Sequence, residues 1–327
     1  MSESTSRLNL IQRAMQRVAV SREAVSIAGD VLQQPSEPPQ DATSSQNRVN
    51  GGRHVRVDDA QPDQIVREGE PVHLDYARLR ASRIISPDHQ DSLTYHEFRS
   101  LKRKLIPITR DPGTGAMTRN VVMVTSALPH EGKTFTVMNL AISLAAESNL
   151  NVIVVDGDVV HNPIARYFHG EEQDGLVELL TGKRDRIEEV LHPCAELPGL
   201  HVVFAGKRHQ ATPELLASSR MAEICVTLSK RFKESIVLFD MPPVLAASEP
   251  TALAAHAHHL IMLIAAGQAT RHQVEAALTE VSCCPSISLL FNRSPEWERP
   301  LSEPYSSYGA RSERAASDLA GESLVSH

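Results

Sequence analysis

Six short and almost uninterrupted apolar runs dominate the middle of this 327-residue chain: NVVMVTS (120–126), NVIVVDGD (151–158), LHVVFAG (200–206), SIVLFD (235–240), HLIMLIAAG (259–267) and SISLLFN (286–292). Helix-like segments separate them. A strand that is apolar on both faces has to be covered on both faces, and intervening helices provide that cover, so the pattern predicts a mostly parallel sheet with helices on either side. In such a sheet ligands bind at the carboxyl ends of the strands. Aromatic residues make up only 4% of the chain, so the core is expected to be aliphatic, and stacking platforms for sugars or bases are disfavoured.

The flanks read differently. Leu8, Ile11, Met15 and Val18 recur at helical spacing among basic residues, which predicts an amphipathic helix near the N-terminus. From about Val31 the composition turns to Gln, Pro, Asp, Ser and Gly, which buries too little apolar surface to offset ordering entropy and reads as a disordered linker. Order is expected to resume near His73. SLTYHEFRSLKRKLI (92–106) places Tyr95, Phe98, Leu101 and Leu105 on one helical face with Arg99, Lys102 and Arg103 beside it, a docking helix. Beyond Asn292 a polar tail carries Trp297, Tyr305 and Tyr308 and reads as flexible.

Charge and cysteines narrow the function classes. With 33 Lys+Arg against 40 Asp+Glu the formal charge is −7, the wrong sign for affinity built on phosphate-backbone neutralisation, so no nucleic-acid partner is expected. Cys194, Cys225, Cys283 and Cys284 sit at no metal-ligand spacing, which suits a reducing, cytoplasmic setting. No stretch approaches the roughly 20 apolar residues that cross a bilayer, and no signal-peptide apolar region is visible. Membrane association, if any, is expected through a partner.

The chemistry concentrates where the first core strand ends. Ala127-Leu-Pro-His-Glu-Gly-Lys-Thr134 follows that strand and precedes the apolar helix pattern FTVMNLAISLAA. A four-residue spacer before Gly-Lys-Thr is the grammar of a P-loop, with Ala127 at the position of the first Gly. Backbone N–H groups over Pro129, His130, Glu131, Gly132, Lys133, Thr134 and Phe135 would wrap phosphates, Lys133 would reach the β- and γ-phosphates, and Thr134 would ligate Mg²⁺. Asp156 and Asp158 close the second apolar run and Asp240 closes the fourth. Three carboxylates at strand ends beside a phosphate loop suit a metal that keeps an octahedral oxygen shell. The run Ala255-His-Ala-His-His259 lacks a carboxylate or Cys partner and predicts no metal site. Ser126 has no visible His–Asp partnership, which argues against a serine hydrolase.

SALPHEGKTF (126–135), VIVVDGDVVHNP with its paired aspartates and VLFDMPP together resemble the bacterial tyrosine kinases of polysaccharide synthesis and export, in the MinD/ParA-like branch of P-loop proteins. The likeness extends to Glu97-Phe-Arg99, to Ala211-Thr-Pro-Glu-Leu-Leu216 and to Asn292, and so covers about residues 75–310. It is greatest for the autokinases of exosortase-linked exopolysaccharide loci, in which the kinase works beside a separate membrane chain-length protein. The resemblance implies a P-loop NTPase fold with ATP and Mg²⁺ as cofactors. Lys133, Asp156 and Asp158 would be catalytic, Asp156 helping to activate the attacking tyrosine. Thr134, Asp156 and Asp240 would serve the metal, Asn292 would contact adenine, and Tyr305 and Tyr308 would be the phosphoacceptors. It further implies a membrane-embedded chain-length regulator as activating partner, with the chain peripheral at the inner membrane, and self-association of the chain.

Three departures stand out. Where many relatives carry a basic residue two positions after the second aspartate, this chain has Val160, followed by His161. Where the oligomerisation motif of relatives begins with Glu it has His96, with Glu97 next to it, which argues against a ring of their kind. Tail tyrosines number two. The expected division is an amphipathic helix (1–30), a linker (31–72), a docking helical segment (73–117), a P-loop kinase domain (118–294) and a tyrosine-bearing tail (295–327). Two other functions fit the residues: a MinD/ParA-like regulatory ATPase without tyrosine kinase activity, and a non-catalytic nucleotide-binding regulator.

Overall fold

The structure is a computed structural model that describes residues 69–87, 93–111, 113–147, 150–170, 173–207 and 212–293. The expected N-terminal helix, most of the linker, Ala211, Trp297, Tyr305 and Tyr308 lie outside the described residues.

In chain order the elements are β1 (His73–Leu74), α1 (Tyr76–Ala81), α2 (Leu93–Thr109), β2 (Val121–Ser126), α3 (Lys133–Ala145), β3 (Asn151–Asp156), β4 (Phe168–His169), α4 (Leu176–Thr181), β5 (His192–Pro193), β6 (Leu200–Val203), α5 (Thr212–Leu216), α6 (Ser219–Arg231), β7 (Ser235–Asp240), α7 (Glu249–Ala254), β8 (His259–Ala265), α8 (Arg271–Glu280) and β9 (Ile287–Asn292). All six apolar runs form strands. Together with the two-residue edge strand β5 they form a seven-stranded sheet in the order β5-β6-β3-β7-β2-β8-β9, parallel throughout except for β5. β1 and β4 pair antiparallel as a separate two-stranded ribbon. Among the described residues no helix is long and apolar enough to cross a membrane.

Strand alternation divides the core in two. Val121, Met123, Ile153, Val155, Val237 and Phe239 pack on one face with α4, α6 and α8, while Val122, Val124, Val152, Val154, Ile236 and Leu238 pack on the other with α2 and α3. Because both faces are covered, every residue of β2, β7 and β8 is buried. The apolar helix α3 is buried from Thr136 to Ala145, between the sheet and α2.

The predicted apolar face of α2 does this covering: Phe98 and Leu105 are buried and Tyr95 and Leu101 pack partly against the same core. Lys102, expected beside that face, is buried. Its ammonium donates to the Ser143 carbonyl (2.9 Å) and pairs with Glu147 (2.8 Å) at the end of α3. The docking partner of this helix is thus the helix that follows the phosphate loop. Val72 is buried and bridges to Cys194, and β1 follows directly.

Candidate active site

β2 delivers the chain into the loop at Ala127. The loop's shape is imposed by braces. The Ser126 hydroxyl donates to the Leu128 carbonyl (2.6 Å). The Glu131 carboxylate is fully buried and accepts from Leu128 N–H (2.8 Å) with one oxygen and from Ala265 N–H (3.0 Å), at the end of β8, with the other. Asn292, at the end of β9, donates its amide to the Glu131 carbonyl (2.9 Å). Gly132 has φ 97°, and a Cβ there would collide with the Asn292 amide, so only glycine fits. His130 shares the left-handed region at φ 63°. The loop therefore opens onto the N-terminus of the buried 13-residue helix α3, where free N–H groups and the helix dipole favour an anion.

Asp156, Asp158 and Asp240 lie close together at and just beyond the ends of β3 and β7. Asp156 and Asp240 are register partners on adjacent parallel strands. Gly157 N–H donates to the Asp240 carbonyl (2.9 Å), and a side chain on Gly157 would strike Met241 and the Asp240 backbone, which explains the glycine between the two aspartates. Asp156 accepts from Asp158 N–H (3.2 Å) and from Ile164 N–H (2.9 Å), one on each oxygen. Asp158 holds a turn, accepting from His161 N–H (3.2 Å) and meeting the His161 ring nitrogen Nδ1 (2.8 Å).

Burial and mutual repulsion set the ionisation. The Asp156 carboxyl is pushed well above the ordinary carboxylate range, first by burial and then by Asp240. Burial pushes Asp240 up to about 7, against the downward pull of the Thr134 hydroxyl and the Lys133 ammonium. No well-formed hydrogen bond reaches either oxygen of Asp240. The Lys133 ammonium is lowered by burial, an effect that Asp240, Asp158 and Glu131 offset.

A cleft of about 930 Å³ lies in front of these groups. Pro129, His130, Gly132, Lys133, Thr134, Phe135 and Asp158 line it. Asp156, Asp240, Glu131 and Asn292 stand behind its wall. The Glu131 side chain is spent inside the loop and the Asn292 amide on the loop carbonyl, so their described role is to shape the phosphate loop. Val160 and the Pro242 and Pro243 of VLFDMPP, already noted in the sequence, also line the cleft, together with Tyr167 and with Arg166, eight residues after Asp158, to which the sequence reading gave no role. Arg166 offered no motif spacing; its only signal was a cation shortly after an acidic strand end.

The residues fit a hard divalent cation. Asp240 presents two orphaned, buried carboxylate oxygens beside the Thr134 hydroxyl, the oxygen donor type such an ion takes. Among the described residues no group of three or more His, Cys, Asp or Glu is arranged to hold a metal ion. The histidine run is structural: His258 Nδ1 accepts from Val121 N–H (3.2 Å) and His259 Nδ1 meets the Ser286 hydroxyl (2.8 Å).

No family model matches the chain. The tyrosine-protein kinase YwqD of Bacillus subtilis is 30% identical over 165 residues, which cover 50% of this chain and 68% of that protein. The chain belongs to the bacterial tyrosine-protein kinase family. Another family member, the tyrosine-protein kinase ptk of Acinetobacter johnsonii, is 28% identical over 166 residues, 51% of this chain and 21% of its own length. The matched region spans only about a quarter of the length of several such relatives. Among solved structures, the BceF tyrosine kinase domain superposes with a TM-score of 0.55 at 23% identity, covering 70% of this chain and 93% of that domain, and so shares the family's P-loop fold.

Proposed function

We propose that the chain is an ATP-dependent protein-tyrosine autokinase that transfers a γ-phosphate to Tyr305 and Tyr308 of its tail and regulates exopolysaccharide polymerisation or export. The observation that carries this reading is the pairing of the braced loop and Lys133 with two strand-end carboxylates, of which Asp240 keeps both oxygens unpartnered. Phosphoryl transfer needs positioning and charge neutralisation more than covalent chemistry, and the site contains only those means.

In this reading the N–H groups from Pro129 to Phe135 seat the phosphates and Lys133 neutralises the β/γ oxygens. Thr134 and Asp240 are the groups that would hold Mg²⁺, which when bound would supply positive charge against the phosphates. Asp156, whose oxygens already fix Asp158 and Ile164, shapes the metal side of the site. Asp158, on the cleft surface with His161 against it, is placed to take the proton of an incoming tyrosine hydroxyl. Asn292 contributes to the adenine side through the loop it locks. The proposed partner is a membrane-embedded chain-length regulator, which would hold the chain peripherally at the inner membrane and activate it; self-association is proposed without the relatives' ring.

The test is phosphotyrosine mass spectrometry after incubation with Mg-ATP, alongside Lys133→Met. Phosphate on Tyr305 and Tyr308 in the wild type and none in the variant is expected. ATP hydrolysis without phosphotyrosine would favour the regulatory ATPase, and neither activity the non-catalytic regulator.

A further inference from the structure

Arg166 stands in the single 3-10 turn Ala165–Tyr167, and the site itself sets that turn: the preceding Ile164 N–H is held by Asp156 at 2.9 Å. The side chain is fixed twice more. Its Nε donates to the Pro163 carbonyl (2.7 Å), and its guanidinium carbon lies 5.7 Å from the centre of the Tyr167 ring. Those contacts occupy one edge and one face of the fork. The two terminal nitrogens, with four of the five N–H donors of a guanidinium, remain.

Several arginines elsewhere in the domain pair with carboxylates, among them Arg184 with Asp174, Arg231 with Glu188 and Arg271 with Glu275, whereas Arg110 reaches only the Gly115 carbonyl. Among the described residues no carboxylate reaches Arg166 at ion-pair distance. It lines the same cleft as Lys133, Thr134 and Asp158. It follows β3 in the chain and so reaches the cleft from outside the loop that opens onto α3. Val160 lies in the same cleft, apolar and 46% exposed, and supplies no charge there.

We propose that Arg166 is a second phosphate-binding residue, which grips the terminal phosphate of a bound nucleoside triphosphate. The assignment rests on the reading of the cleft as a triphosphate site. A planar fork pre-positioned by its Nε and by an aromatic face suits bidentate recognition of phosphate, and because Arg166 stands outside the loop that seats the other phosphates, it is expected to favour triphosphate over diphosphate.

The test is equilibrium binding of a non-hydrolysable ATP analogue and of ADP, each with Mg²⁺, to wild type, Arg166→Ala and Arg166→Gln, with thermal unfolding to verify folding. Both variants are expected to bind the triphosphate analogue roughly tenfold or more weakly, as for loss of a charged hydrogen-bonding group, and ADP within about twofold of wild type. Equal weakening of both nucleotides, or of neither, overturns the assignment and leaves the kinase reading standing. A wild-type chain that binds neither nucleotide overturns both.

Discussion

Asp240→Asn should stabilise the metal-free protein at alkaline pH while abolishing phosphoryl transfer. In the folded chain burial raises this carboxyl from 3.8 to about 7, so over that interval the unfolded chain has released a proton that the folded chain keeps. Folding stability therefore falls as pH rises from about 4 through 7 and then levels off. At about 1.4 kcal/mol for each pH unit the loss has a ceiling of about 4 kcal/mol. A buried asparagine keeps a cost of about 1–3 kcal/mol for an amide without full hydrogen bonding, which leaves a net gain of roughly 1–3 kcal/mol at pH 8. Removing the charge also relieves Asp156, since Asp240 is the second cause of that residue's rise. Urea midpoints for wild type and variant, measured in a chelator from pH 4.5 to 8.5, should start with the variant level with or below wild type and cross as pH rises, leaving the variant above by pH 8. Adding Mg²⁺ and nucleotide should then stabilise wild type by linkage and the variant much less. A variant that is less stable at pH 8, by a margin that pH does not change, would show that Lys133 and Thr134 already compensate the buried charge.

Glu131→Gln leaves one acceptor for two buried N–H groups, so unfolding free energy should fall by about 1–3 kcal/mol and the affinity for an ATP analogue should drop with it; unchanged values in denaturant and titration experiments would refute the brace. Tyr305→Phe combined with Tyr308→Phe should remove most phosphotyrosine and preserve ATP binding, whereas phosphate found mainly on Tyr76, Tyr95 or Tyr167 would exclude the tail as acceptor. Autophosphorylation of the purified chain should be slow and rise about tenfold or more, roughly 1.4 kcal/mol of barrier, on adding the cytosolic peptide of a co-encoded membrane chain-length regulator. Equal rates at saturating Mg-ATP would argue against an external activator.

The sheet was legible because its strands are covered on both faces and so appear as unbroken apolar runs, with boundaries correct to within three residues. β1, β4 and β5 have two residues each, too few for any periodicity, and depend on tertiary pairing. Lys102 misled for a related reason: a helix pattern shows which residues share a face, but a long cation can lay its stem along a buried helix and reach Ser143 and Glu147. At the site, Lys133, Thr134 and the strand-end aspartates were readable because chemistry fixes their spacing. Glu131 and Asn292 were readable as members of the site but not as braces, because their contacts lie 134 and 161 residues away in the chain. Arg166 is set by a turn whose geometry comes from Asp156, which no local spacing encodes.

The lock that Asn292 places on the loop has a practical corollary for anyone shortening this chain. Arg293 follows β9 immediately and lines the cleft, so the nucleotide site is complete only when the last strand is. A truncation after Arg293 removes the tail tyrosines and retains the amide that holds Glu131 in place. A cut inside Ile287–Asn292 is a different molecule: it frees the phosphate loop and also bares the flank of β8, seven buried apolar-rich residues whose unpaired backbone would become an adhesive sheet edge. Poor solubility in such a fragment would reflect the missing strand, and its inactivity would carry no information about the tail.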